Sequence, residues 1–179
     1  MLLKPIPMGT VWLAAMVFLA QPLVPARAQP GVDIPPSVSM EHDSVMHYLQ
    51  KIAERTTPSG AAAQRLMEVL KQHMALEDAF ILPPLTLLPA LAKGEVSPDM
   101  RWAIPMSDRV STEHDALQRV HNSITEATVA LQIAADDEHD EATIGFCRDL
   151  AADDLNDVEV TEPTVMLIGD LLRSRLPAP

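Results

Sequence analysis

Apolar residues recur at every third or fourth position along most of this chain, the spacing that gives an α-helix one buried face. In the first such stretch the apolar residues follow His42 at +3, +4 and +7: Val45, Met46 and Leu49. The chain has only six Gly, lacks runs rich in β-branched and aromatic residues, and is dominated by helix-forming types such as Ala and Leu. The pattern therefore predicts an all-α protein.

Turn-forming segments divide the pattern into four predicted helices, named A to D. Their approximate bounds are residues 39–55 for A, 61–82 for B, 107–135 for C and 141–160 for D. The proline-spotted stretch 85–105 is predicted to cross the molecule without a long helix. Pro163 is expected to bend or interrupt D before a final segment at 164–176. Two helical hairpins joined by a crossover form an up-down four-helix bundle, here spanning residues 39–176.

The two predicted hairpins are similar in sequence. Helix A opens with Glu41-His42-Asp43, and Glu113-His114-Asp115 stands near the start of helix C. Helix B contains Leu70, His73, Glu77 and Pro83, and helix D contains Leu150, Asp153, Asp157 and Pro163 with identical offsets of three, four and six. The repeat supports a bundle built from two related hairpins.

Three polar residues lie on the apolar stripes of helices A and B and are predicted to face the core: His42, His73 and Glu77. The two histidines each lie about 15 residues, or about 23 Å, from the hairpin tip near Pro58, so antiparallel packing would bring them level. A buried Glu is costly unless it is paired or binds a metal. The set is suited to a transition-metal site, although each histidine alone could equally be a hydrogen-bonded core residue.

This arrangement resembles the hemerythrin-like HHE cation-binding family, which has a His in helix A, His-x-x-x-Glu in B, a His in C and a second His-x-x-x-Glu in D. The resemblance covers residues 39–163. It implies a four-helix bundle around two irons joined by an oxo or hydroxo bridge, with manganese as the alternative metal. It also implies that His42, His73 and His114 are terminal ligands and that Glu77 is a bridging ligand.

Helix D departs from the family pattern, because Asp153 stands at the position of the family's His and Asp157 at that of its Glu. Both are predicted metal ligands. A second register of helix D stays open, in which Cys147 and Asp157 face inward and Asp154 takes the place of Asp153. The carboxylates would be repulsive if they were buried without cations, which favours a metal site.

Gln118 stands four residues after His114, where the oxygen carriers of this family have a further His. The resemblance therefore implies sensing, binding or detoxifying oxygen, nitric oxide or peroxide, or buffering iron, rather than oxygen carriage. A carboxylate-rich ligand set also leaves a di-iron oxidase open. The alternative from a different class is a bundle that has lost its metal and acts as a structural or interaction module. His121, two turns from His114, is expected to form hydrogen bonds in the core or beside the site.

The first 28 residues have the three parts of a secretory signal peptide. Lys4 supplies a positive start, residues 10–20 form an apolar run too short to span a bilayer, and Ala26-Arg27-Ala28 is a cleavage site. Residues 29–38 would then be a linker ahead of one domain. We expect a periplasmic or secreted protein without a stable membrane anchor.

The predicted mature chain is strongly acidic. Without Lys4 and Arg27 the 13 basic residues fall to 11, against 25 acidic residues, so the net charge is −14. Such a charge argues against nucleic acid or anionic lipid as a partner. Metal cations and small neutral molecules remain as possible partners. Cys147 is the single cysteine, so no intrachain disulfide can form.

The cleavage site predicts that protein recovered from the exported fraction begins at Gln29. Intact-mass spectrometry and N-terminal sequencing measure this directly. Recovery of a stable full-length chain from the membrane fraction would contradict export as a soluble protein.

Overall fold

The computed structural model describes residues 36–177, and these form helices and their connections without any strand. The helices are α1 (Pro36–Ala53), α2 (Pro58–Leu76), α3 (Leu82–Leu85), α4 (Leu88–Leu91), α5 (Ala103–Thr112), α6 (His114–Asp137), α7 (Glu141–Asn156) and α8 (Glu162–Arg175). The all-α prediction is therefore confirmed. The predicted signal peptide and most of the predicted linker lie outside the described residues.

Two wider helical turns join α2 to α3 and α7 to α8. Each is a π-helical turn, the first Glu77–Ile81 and the second Asp157–Thr161. In each turn a backbone N–H donates to the carbonyl five residues before it, Leu82 to Glu77 and Glu162 to Asp157. A proline follows directly in both cases and has no N–H to continue the regular pattern. The helical path therefore continues past Pro83 and Pro163, where the sequence suggested an end and an interruption.

Predicted helix C is two helices, because the chain breaks at Glu113, which has φ −99° and ψ 8°. The carbonyl of Arg109 accepts hydrogen bonds from the Glu113 N–H and from the Thr112 hydroxyl. A hydroxyl that bonds back to the preceding turn competes with the helical ladder and bends it. The crossover also has more helix than predicted, since α4, a 3-10 turn at Pro98–Trp102 and the first residues of α5 fall within it.

The helices bury two main apolar clusters. In the first cluster α1 packs on α2, α2 on α6, and α6 on α7, with these buried residues among its members: Leu49, Ile52, Leu66, Leu70, Ile124, Leu131, Cys147 and Leu150. The second cluster contains Phe80, Ile81, Met106, Val110, Leu117 and Val165. By length and composition alone Pro58–Leu91 could cross a membrane, but many of its buried apolar side chains, such as Leu66 and Phe80, belong to these two clusters.

A layer of polar side chains, called here the polar layer, separates the two clusters. Its residues are His42, His73, Glu77, His121, Asp154, Asp157 and Glu162. Along α6, for example, His121 lies between Leu117 of the second cluster and Ile124 of the first. The fold therefore places a group of titratable side chains between two buried apolar clusters.

Helix α8 approaches α5 closely at Gly169, where an added Cβ would overlap the side chain of Ser107. The Ser107 hydroxyl in turn donates to the carbonyl of Val165 at 2.8 Å. Gly169→Ala should therefore destabilise the fold by about 1–3 kcal/mol, as overpacking of a core contact does. Chemical denaturation measures the change.

Gly145 of α7 provides the matched control, because an added Cβ there meets nothing within 4 Å. Gly145→Ala should stabilise the protein by up to about 1 kcal/mol through helix propensity. If Gly169→Ala were as stable as Gly145→Ala, the close α5–α8 contact would not exist in solution.

Candidate metal centre

The first half of the polar layer comes from α1, α2 and the first π-helical turn. His42 Nε2 lies 3.1 Å from Glu77 Oε2, and His73 Nε2 lies 3.3 Å from the same oxygen. Glu77 and His73 are buried, with exposed fractions of 4% and 5%. The helices therefore bring His42 and His73 level on either side of Glu77, the relative position that the hairpin midpoint predicts.

Asp157 reaches this group from the other half of the molecule. It opens the second π-helical turn, and its Oδ2 lies 3.5 Å from His73 Nε2. Ligand atoms of His73, Glu77 and Asp157 all lie within 4.8 Å of one another. Glu77 and Asp157 stand at equivalent places in the sequence repeat, each the first residue of a π-helical turn. Such turns often occur at functional sites.

The second half of the layer is built around His121. Its Nδ1 lies 2.7 Å from Asp154 Oδ1 and its Nε2 lies 2.9 Å from Glu162 Oε1. The His121 ring meets the His73 ring edge-on, with 5.0 Å between centroids. His121 therefore forms the core hydrogen bonds that the sequence predicts, and it joins the two halves of the layer.

The structure does not bring His114 or Asp153 into the layer as the sequence suggests. His114 is exposed at the first residue of α6, because the break at Glu113 ends the apolar stripe on which it was placed. Asp153 is exposed at the cavity mouth, whereas Asp154 contacts His121. Helix α7 thus adopts the second register.

Glu162 is the member of the layer that sequence reasoning missed. It is 3% exposed and begins α8 on the same face as Val165 and Leu172, which follow at +3 and +10. That helical spacing was a usable signal for a buried carboxylate. Its position next to Pro163, where the helix was expected to bend or stop, concealed it.

A cavity of about 250 Å³ adjoins the polar layer. Its lining combines polar residues with apolar ones; the polar residues include His42, His73, Glu77, Asp154 and Asp157, and the apolar residues include Val45, Leu70, Met74, Ile124 and Leu150. The acidic side chains of Glu41 and Asp153 are exposed and border the cavity. A small molecule can therefore lie beside both the candidate ligands and apolar side chains.

Histidines and carboxylates in the layer shift each other's pKa. Burial alone would lower the pKa of His73, but hydrogen bonds to Asp157 and Glu77 outweigh it and raise the pKa to about 10. Burial would raise the pKa of Glu77, but hydrogen bonds from His42 and His73 lower it to about 2. In the absence of metal the layer is therefore held together by imidazolium–carboxylate pairs.

Burial, hydrogen bonds and nearby charges also shift the pKa values of His42, His121 and Asp153. The hydrogen bond to Glu77 raises the pKa of His42 despite its burial. Burial would lower the pKa of His121, but its bonds to Asp154 and Glu162 raise it to about 9. Asp153 has a raised pKa because of partial burial and the nearby negative charges of Glu41 and Asp157.

The residues fit a transition-metal ion on three grounds. Metal–ligand distances of about 2.0–2.2 Å separate neighbouring donors by about 3 Å in octahedral and about 3.4 Å in tetrahedral geometry. Three pairs of donor atoms have comparable spacing: Glu77 Oε2 lies 3.1 Å from His42 Nε2 and 3.3 Å from His73 Nε2, and Asp157 Oδ2 lies 3.5 Å from His73 Nε2. Imidazole and carboxylate together suit iron, manganese or zinc, and the paired carboxylates supply the negative charge that such cations require.

No family model matches the chain, and no curated protein or solved structure matches it either. The resemblance to hemerythrin-like proteins thus rests on the spacing of His42, His73 and Glu77 in the sequence. The function has to be inferred from these residues and their geometry.

Without metal, the raised pKa values of His73 and His121 predict a stability that falls as the pH rises. Their pKa is near 6.5 in the unfolded chain and about 10 and about 9 in the folded one, so the folded state binds more protons between those limits. The added stability is complete below pH 6.5 and is lost through pH 9–10. Thermal melts of EDTA-treated protein over this range measure it.

His73→Gln removes one of the titrating groups and should flatten this profile. A wild-type melting temperature that stays constant, or rises, from pH 6.5 to 10 would show that these histidines are neutral in the metal-free fold.

Proposed function

We propose that this chain is an exported, non-haem metal-binding protein of the hemerythrin-like type, with iron or manganese bound in the polar layer. The observation that carries the proposal is the convergence of His42, His73, Glu77 and Asp157 from separate helices between two apolar clusters. A layer of this composition is expensive to bury without compensating cations. Binding of a metal ion would account for the position of all four side chains.

We further propose that the four long helices form an up-down bundle. The series of contacts from α1 to α2, α2 to α6 and α6 to α7 supports two hairpins packed side by side. Helix α5 then precedes the second hairpin, and α8 prolongs α7 beyond the second π-helical turn. In this arrangement each hairpin presents one π-helical turn to the shared polar layer.

The cavity favours a small ligand beside the metal. Oxygen, nitric oxide and peroxide are small enough to enter it, and its apolar lining residues suit neutral molecules of this kind. Bound iron or manganese would supply the redox or ligand-binding chemistry. Reversible oxygen carriage is less well supported, because His114 and Gln118 both lie on the first turns of α6, away from the cavity lining.

Each residue has a distinct part in this proposal. His42 and His73 present Nε2 toward the ion position, and Glu77 and Asp157 supply charge and oxygen donors. The apolar clusters on either side of the layer offer a cation little competing polar solvation, which would strengthen the electrostatic attraction of the carboxylates for it. Exposed Glu41 and Asp153 add negative charge at the mouth of the cavity.

A metal-free structural bundle is the second candidate. It is favoured by the completeness of the ion pairs, because protonated His42, His73 and His121 each already contact a carboxylate. The two candidates differ in a measurable property, the metal content of purified protein. An absorption spectrum of iron-loaded protein adds the type of iron site.

Protein expressed in iron-replete cells should contain bound metal, and His73→Ala should remove most of it. His73 contacts both Glu77 and Asp157, so its loss opens the ligand set at the centre. Because metal binds the folded state, its loss should also lower the melting temperature. Elemental analysis and thermal melts provide the two readouts.

His47→Ala is the matched control, since His47 is exposed on the same helix as His42. It should keep wild-type metal content and stability. Wild-type protein that takes up no iron or manganese would overturn the metal-binding proposal in favour of the structural bundle.

A further inference from the structure

His121 has more carboxylate partners than a neutral imidazole can satisfy. A neutral ring has one N–H, so it can donate to only one acceptor. Here Nδ1 faces Asp154 at 2.7 Å and Nε2 faces Glu162 at 2.9 Å. Either the ring carries a second proton, or one of the two carboxyl groups is protonated and donates to it, or a cation lies against one of the nitrogens together with its carboxylate.

Glu162 is the most deeply buried carboxylate on this side of the layer. Its side chain is 4% exposed, compared with 11% for Asp154. An ionised carboxylate that is buried so completely requires a strong compensating partner. Asp154, nearer to solvent and on the other ring nitrogen, stands where a carboxylate typically orients a metal-binding histidine.

We propose that the centre holds two ions, and that His121 Nε2 and Glu162 bind the second one while Asp154 orients the His121 ring. This assignment rests on the proposed function. It moves the second half of the ligand set away from His114, which the sequence resemblance implies, to a histidine two turns further along α6 and to a carboxylate on α8. Three histidines and four carboxylates then form one centre.

In this proposal a carboxylate shared between the two ions would join them. Glu77 meets both histidines through Oε2 and Asp157 meets His73 through Oδ2, which leaves a second oxygen on each carboxylate to bridge. Metals in two-ion sites lie about 3.5–4 Å apart. The centroids of the His73 and His121 rings are 5.0 Å apart, so the two histidines are neighbours in the layer.

Charge balance supports two ions over one. Glu77, Asp154, Asp157 and Glu162 bring four negative charges into the layer. Two divalent cations with neutral histidines neutralise these four charges, whereas one cation with His121 protonated still leaves one of them uncompensated between apolar clusters. The second ion therefore removes a buried charge that the first cannot.

Manganese provides the probe, because its spectrum reports nuclearity. Metal-free protein is titrated with Mn²⁺, its bound metal is counted by elemental analysis, and its electron paramagnetic resonance spectrum is recorded. Wild type should bind two ions and give an exchange-coupled signal. Glu162→Gln and His121→Gln should each bind one ion and give the six-line signal of isolated Mn²⁺.

Two further variants test the roles of the neighbouring residues. Asp154→Asn should still bind two ions, with the second about 10–100-fold weaker, as expected when an orienting carboxylate is lost. His114→Ala should match the wild type in both measurements. Circular dichroism and thermal melts confirm that each variant is folded, and Glu162→Gln preserves the size of the buried side chain.

The outcomes separate this inference from the proposed function. One ion in the wild type, two ions in folded Glu162→Gln, or loss of an ion in His114→Ala would overturn the second-ion assignment while leaving a metal-binding protein. No bound Mn²⁺ or iron in the wild type would overturn the proposed function itself, and the second-ion assignment with it.

Discussion

The rest of the structure depends on how Glu77 is kept charged between two apolar clusters. A carboxylate that is 4% exposed must find partners inside the protein, and His42 and His73 supply them from either side of one oxygen. That requirement fixes the register of α1 against α2, because a slip of one turn would separate the histidine on α1 from the carboxylate. Packing of the apolar stripe and pairing of the buried charge select the same alignment.

The paired π-helical turns extend this constraint to the second half of the molecule. A π-helical turn contains one residue more than an α-helical turn, so the residues that follow it are rotated about the helix axis. Each turn therefore changes which side chains of the following helix face inward. Glu77 and Asp157 open the two turns, and a proline lies two residues after the end of each one. After the second turn, Glu162 faces inward with the apolar stripe of α8. The irregular backbone thus allows one helical path to deliver three carboxylates to the layer: Asp154, Asp157 and Glu162.

The predictable half of the site is the half in which helical periodicity is uninterrupted. Along α1 and α2 the stripe and the hairpin midpoint suffice to place His42, His73 and Glu77 together. In the other half, the apolar pattern predicts one continuous helix C, but the helix breaks at Glu113. Pro163 predicts a bend or an interruption, but the helical path continues past it. These two backbone features account for the positions of His114 and Glu162: the apolar pattern does not mark the break at Glu113, and Pro163 obscures the helical spacing that begins at Glu162.

In the proposed centre, protons and metal ions would compete for the same nitrogens, so one fold could accommodate either. With His42, His73 and His121 protonated, the four carboxylates of the layer retain one net negative charge; with two divalent ions and neutral histidines they retain none. The two states therefore differ little in buried charge, although they differ in what bridges the side chains. Since desolvated net charge is the costly quantity, the helices can keep the same packing in either state. A preformed layer of this kind reduces the reorganisation that ion binding requires.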